Sequence, residues 1–155
     1  MTNEVQEKIA LCKEKQLPHL DLSHLGLMKI PHEVGTLVWL ERLSLSHNHI
    51  CDIGPLANLK KIYKLSLSHN QISDLTALCA NERLKFLFIQ HNVICDIIPL
   101  SQLSTLKKIV MHDNKIQNSE SLALLPHLVY LDVRNNPITN AQTLKKMTTL
   151  KVLKV

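Results

Sequence analysis

The sequence predicts an α/β fold, a right-handed, curved solenoid with a parallel β-sheet of about seven strands on its concave face and a helical cap at its N-terminus. Three observations point there. A spacing of 22 residues recurs five times in the 155-residue chain, registered on Leu40, Ile62, Leu84, Leu106, Leu128 and Leu150. Each of these positions opens the pattern L-x-x-L-x-L, usually followed by x-x-N. The stretch before the array carries apolar residues at helical spacing.

Composition narrows the function classes. With 45% apolar residues the chain can bury a full core, and no composition shift marks a second domain or a long linker. Only three glycines and six prolines occur, and no apolar run is long enough to span a bilayer. The N-terminal segment MTNEVQEKIALCKEKQ places acids and amides among its apolar positions. It lacks the basic start and apolar stretch of a secretory signal, so an intracellular location, cytoplasmic or nuclear, is expected. The four cysteines show no metal-knuckle or redox spacing. Cys51 and Cys95 hold equivalent places two units apart, about 10 Å at strand spacing and beyond disulfide reach, so free thiols are expected. A net charge of +5 and a pI near 9.1 suit an acidic partner, and equally an ordinary solubility surplus.

Residues 1–16 form the expected cap and 17–155 the solenoid, with one 23-residue unit, five 22-residue units and a partial seventh. A helix is expected over 3–15, with Asn3 as its cap, Gln6 three residues on, and Val5, Ile9 and Cys12 on one face. It would cover the apolar end of the first unit, which has no neighbour on that side. That unit supplies Leu17, Leu20 and Leu22 and then Ile30, Pro31, Val34 and Leu37. Leu25 stands where later units carry asparagine, so the backbone turn there needs another partner.

The next five units place Leu43 and Leu45, Leu65 and Leu67, Leu87 and Ile89, Ile109 and Met111, and Leu131 and Val133 toward the core. Asn48, Asn70, Asn92, Asn114 and Asn136 follow, each able to bond the backbone of its own turn and of a neighbour. Beyond them, apolar residues at a three-residue step, such as Ile50, Ile53, Leu56 and Leu59, predict short 3₁₀ turns along the convex side. Asn81 interrupts this pattern where Leu59 and Leu103 stand, and a local distortion is expected. The last predicted strand, ending at Val155, is an open edge. It invites continuation, blunting by Lys151 and Lys154, or a homodimer.

Segments such as LERLSLSHNHICDIGPLANLKK and LKFLFIQHNVICDIIPLSQLST closely resemble leucine-rich repeats of the type found in the nuclear regulatory subunit of protein phosphatase 1. The resemblance covers residues 40 to 155, and 17 to 39 is similar to the 23-residue type. It implies an intracellular curved solenoid used as a binding platform. The phosphatase regulators, by that resemblance, engage their enzyme through a concave face rich in acids and aromatics; here basic residues replace most of the acids.

In L-x-x-L-x-L-x-x-N the third, fifth and seventh positions point away from the core onto the concave sheet. The third-position column is His19, Arg42, Lys64, Phe86, Lys108, Tyr130 and Val152. The fifth is Asp21, Ser44, Ser66, Phe88, Val110, Asp132 and Lys154, and the seventh is Ser23, Ser46, Ser68, Gln90, His112 and Arg134. Of five aromatic residues, Phe86, Phe88 and Tyr130 fall in these columns and Tyr63 lies beside them. Solvated aromatics next to cations are the makeup of an interface anchor. The expected partner-binding residues are therefore Arg42, Lys64, Phe86, Phe88, Lys108, Val110, Tyr130 and Arg134.

Other chemistry finds less support. His24, His47, His69 and His91 precede the asparagine column like the rungs of a metal ladder, but no cysteine or carboxylate completes a tetrahedral set among them, and Asp113 stands at the far end. They are expected to be structural, with no metal or cofactor. Ser46-His47 and Ser68-His69 adjoin, yet consecutive strand residues face opposite ways, which spoils a nucleophile and base pair. No phosphate-cradling loop or zinc-protease motif appears, so no enzyme is expected. The sequence thus predicts a noncatalytic protein-interaction module or scaffold whose partner offers an acidic and apolar surface. The alternatives are an RNA-binding or ribonucleoprotein subunit, and a regulatory or targeting subunit of a larger enzyme complex.

Overall fold

The computed structural model describes residues 3–155. Helix α1 (Asn3–Glu14) opens the chain, and Val5, Ile9 and Cys12 are its buried residues, the face that the spacing predicts. Asn3 lies within the helical span and its side-chain amide donates to Glu7 Oε1 at 2.6 Å. Seven three-residue strands follow: β1 (His19–Asp21), β2 (Arg42–Ser44), β3 (Lys64–Ser66), β4 (Phe86–Phe88), β5 (Lys108–Val110), β6 (Tyr130–Asp132) and β7 (Val152–Lys154). They form one parallel sheet in sequence order, β1 through β7.

Register follows the 22-residue ruler. Leu20, Leu43, Leu65, Leu87, Ile109, Leu131 and Leu153 pair in turn across the sheet. All but Leu153 are buried. Each such leucine contributes about 1.5–3 kcal/mol of burial free energy, and it does so only because the next unit covers it. Leu153, on the edge strand β7, is half-buried.

Short 3₁₀ turns carry the chain back along the convex side, at His32–Thr36, Gly54–Asn58, Thr76–Leu78, Ile98–Gln102 and Glu120–Leu124. Successive turns approach closely: a Cβ added at Gly35 would meet the Pro55 carbonyl oxygen at 2.8 Å, so only glycine fits there. In the sixth unit a one-turn α-helix, α2 (Ala141–Lys145), replaces the 3₁₀ turn, which the leucine spacing did not announce.

Asparagines close the strand-to-turn corners. Asn70 Oδ1 accepts the Ile50 amide at 2.9 Å, while its Nδ2 donates to the carbonyls of Leu45 at 2.9 Å and Leu67 at 3.1 Å. Asn92, Asn114 and Asn136 repeat this arrangement one unit at a time. The first corner, where Leu25 replaces asparagine, is served from outside: Asn48 Oδ1 accepts both Leu25 N and Leu27 N, at 3.1 and 2.9 Å.

The distortion expected at Asn81 is small. The 3₁₀ turn before it is three residues long where its neighbours have five, but Asn81 N still bonds Leu78 O and Leu84 N still bonds Asn81 O. Asn81 is buried and donates to Leu59 O at 2.8 Å, and its Oδ1 has no partner. All four cysteines are free thiols, with Cys51 and Cys95 exposed.

Candidate functional site

The register assembles the predicted columns on one face. Arg42, Lys64, Phe86, Lys108 and Tyr130 are direct cross-strand partners on β2 to β6, and Ser66, Phe88, Val110 and Asp132 form the adjacent column. Arg42 and Lys64 are exposed, whereas Phe86, Phe88, Lys108, Val110 and Tyr130 are half-buried. The aromatic residues are thus partly screened by their own neighbours.

Those neighbours are mainly cations. Lys108 Nζ lies 4.3 Å from the Tyr130 ring centre and 5.5 Å from that of Phe88. Lys64 Nζ stands 5.8 Å from Phe88, and Lys154 Nζ 5.6 Å from Tyr130. Tyr63 meets Phe86 edge to face at 6.4 Å. Each cation over a ring is worth about 0.5–1 kcal/mol when exposed and more once water is excluded. A docked surface that dries this patch therefore strengthens contacts that already exist. Lys154 belongs with the patch although it was not among the predicted binding residues; its signal is its place in the fifth column beside Asp132.

Toward β1 the concave face opens into a hollow of about 500 Å³, lined by His19, Asp21, Arg42, Ser44, Lys64, Ser66 and Phe88. Its rim continues into a chain of serines. Ser23 and Ser44 share a hydrogen bond of 2.6 Å, Ser46 and Ser66 one of 2.6 Å, and Ser68 donates to Ser46 at 3.0 Å. Ser46 and Ser68, expected on the solvated face, are buried, with their hydroxyls satisfied by these bonds.

At the other end Asp132 is nearly fully buried, held by Arg134 through Nε to Oδ1 at 3.0 Å and Nη2 to Oδ2 at 2.8 Å. The Arg134 hydrogen bond holds the Asp132 carboxyl below the usual carboxylate range, against the opposing effect of burial. Lys154 Nζ reaches Asp132 Oδ2 at 4.0 Å. Arg134, a predicted partner contact, is thus already engaged within the chain.

The histidine column has a backbone reason. His24, His47, His69 and His91 all adopt positive φ, between 54° and 59°, and Asp113 and Asn135 do the same in later units. Histidine, asparagine and aspartate are the residues most enriched in this left-handed region after glycine. They lie beyond the three-residue strands, so the alternation used to separate serine from histidine does not apply at these positions. Among the described residues no Ser–His hydrogen bond forms. The first four imidazoles stack face to face, with centroids 4.1, 4.0 and 4.2 Å apart. Burial, together with the neighbouring His47 and His91, holds His69 below the ordinary imidazole range.

Stacking ends after His91, whose ring meets His112 edge to face at 5.1 Å and 87°. His112 Nδ1 is hydrogen-bonded to Asp113 Oδ2, which also lies 3.6 Å from His91 Nε2. Asn135 Nδ2 donates to the other carboxylate oxygen, Oδ1, at 2.9 Å. The bonds from His112 and Asn135 hold the Asp113 carboxyl below its usual range.

Comparison with known proteins supports the architecture. A family model described as Leucine Rich repeats (2 copies) matches residues 38–80, and a second, Leucine Rich repeat, matches 125–141. No curated protein sequence matches the chain. Among solved structures, an internalin (InlF) from Listeria monocytogenes superposes with a TM-score of 0.88 at 28% identity, covering 95% of this chain and 43% of that one. A leucine-rich repeat protein from Leptospira interrogans gives 0.83 at 24% identity, over 93% of this chain and 38% of its own, a likeness of fold alone. Internalin C2 from Listeria monocytogenes gives 0.51 at 25% identity, over 99% and 91%. The chain spans less than half the length of the first two. No helix among the described residues is long and apolar enough to cross a membrane. With its repeat models, seven-stranded parallel sheet and corner asparagines, the chain carries leucine-rich repeats and has the leucine-rich repeat solenoid fold.

Proposed function

We propose that the chain is a noncatalytic protein-binding module whose concave sheet docks a partner around Phe86, Phe88, Val110 and Tyr130. Arg42, Lys64, Lys108 and Lys154 flank this centre and select a surface that combines carboxylates with apolar groups. The observation that carries the reading is the placement of Lys108 over both Tyr130 and Phe88. Aromatic anchors ringed by polar residues are where alanine scans find most binding energy. Leucine-rich repeats are a common protein-interaction scaffold, which agrees with this use of the sheet.

The lysines weigh against a nucleic acid. A base stacking on Phe88 or Tyr130 would compete with the ammonium group that already faces each ring. The resemblance to the phosphatase regulatory subunit supplies a precedent for concave docking, but the exchange of acids for bases points to a partner of opposite charge. The double substitution Phe86→Ala/Phe88→Ala is expected to leave the fold intact and weaken the partner at least about hundredfold, as loss of two anchors should. Unchanged partner affinity in that variant sinks the reading.

A further inference from the structure

The stacked histidines cannot share an ion, because face-to-face imidazoles present π-faces to one another and send their lone pairs in parallel. At the end of the stack the geometry changes. His112 turns its ring perpendicular to His91, and Asp113 enters the column that histidine occupies in the four units before it. Nitrogen atoms of His91 and His112 and a carboxylate oxygen of Asp113 then lie within 4.8 Å of one another.

We infer that His91, His112 and Asp113 form a surface site for a divalent transition-metal ion of the zinc class. Two imidazoles and a carboxylate are a ligand set such ions accept, with the remaining positions open to solvent. Ligand atoms in a tetrahedral zinc site stand roughly 3.4 Å apart, given metal–nitrogen bonds near 2.0–2.1 Å. The 3.6 Å between His91 Nε2 and Asp113 Oδ2 already fits. In the closer pair, His112 Nδ1 and Asp113 Oδ2, the ion takes the place of the shared proton, which leaves to solvent from a charged ring or moves to Nε2 of a neutral one.

Support around the ligands is also in place. Asn135 fixes Asp113 Oδ1 and leaves Oδ2 facing the imidazoles, the kind of outer bond that orients metal-binding carboxylates. The backbone bond from His91 N to His112 O, 3.1 Å, ties the two histidines across adjacent units. The site is not a single column, because its third ligand comes from the neighbouring one.

The array itself supplies replacements for the test. Asn135 occupies the column of His91 and Asp113 at the same positive φ, and Gln90 occupies the column of His112. Asp113→Asn and His112→Gln are therefore compatible with the backbone. Calorimetric titration of the tag-free chain with Zn²⁺ is expected to show one equivalent bound. Each substitution should weaken it at least about tenfold, since loss of outer-shell partners alone costs 10–100-fold. His47→Asn, within the stack, should change nothing, and Ca²⁺ should not compete.

Absence of Zn²⁺ binding overturns the inference, as does binding that survives the Asp113→Asn/His112→Gln double variant or falls equally in His47→Asn. Paramagnetic broadening by Co²⁺ in NMR spectra of the unmodified chain tests the site without any substitution. Broadening centred on His91, His112 and Asp113 supports it, and broadening centred elsewhere contradicts it.

Discussion

Arg134 grips Asp132 through two parallel bonds, Nε to Oδ1 at 3.0 Å and Nη2 to Oδ2 at 2.8 Å, at the end of the concave face. The carboxylate is buried and the guanidinium half-exposed, so the pair seals the sheet where β6 passes to the edge strand β7.

Acid should release this seal. Because Arg134 lowers the folded-state pKa of Asp132, the group's contribution to stability is fully present above its unfolded pKa of about 4 and is lost as pH falls through the folded value. Thermal unfolding followed from pH 6 downward should therefore show a falling Tm below about pH 4. Arg134→Gln should flatten that part of the curve; an unaltered acid limb would show that other carboxylates control it.

Asn70 tests the corner ladder. Replacing it with alanine orphans the Ile50 amide and removes a donor from the Leu45 and Leu67 carbonyls, all buried in the sheet. A buried unsatisfied group costs about 1–3 kcal/mol, so Asn70→Ala should lower unfolding stability by about 3 kcal/mol in a urea titration.

The opposite sign is expected at Asn81. Its buried Oδ1 is unpartnered, and Leu59 and Leu103 occupy the equivalent sites in adjacent units. Asn81→Leu restores the larger apolar side chain of those sites and removes the orphaned oxygen, while Leu59 O keeps the Ile62 amide when the bond from Asn81 Nδ2 is lost, so stability should rise by about 1 kcal/mol in the same assay.

His69 separates backbone need from side-chain chemistry. At φ 54° asparagine should be tolerated within about 0.5 kcal/mol, whereas β-branched valine should cost about 1–3 kcal/mol. Comparable melting of His69→Asn and His69→Val would show that backbone conformation does not select this column.

The sequence makes much of this legible because one spacing governs one kind of contact. Leucine and asparagine positions report burial and corner bonding directly, and the columns that hold Phe86, Phe88 and Tyr130 follow from alternation alone. Features that depend on contacts between columns are not periodic and escape that reading. Asp132 sits in an outward column yet is buried, because Arg134 folds back over it. Ser46 and Ser68 are buried and bond neighbouring serines, and Asp113 meets His112 from the column beside it. The left-handed corners show in the sequence as a column of His, Asp and Asn, the residue types that tolerate positive φ.

The most direct measurement of concave docking is oxidative footprinting of the chain with and without its bound partner. Phe86, Phe88 and Tyr130 are expected to lose reactivity in the complex, while the exposed convex residues Ile98 and Leu124 keep theirs. Protection of Ile98 and Leu124 with unchanged labelling of the three aromatics would contradict it.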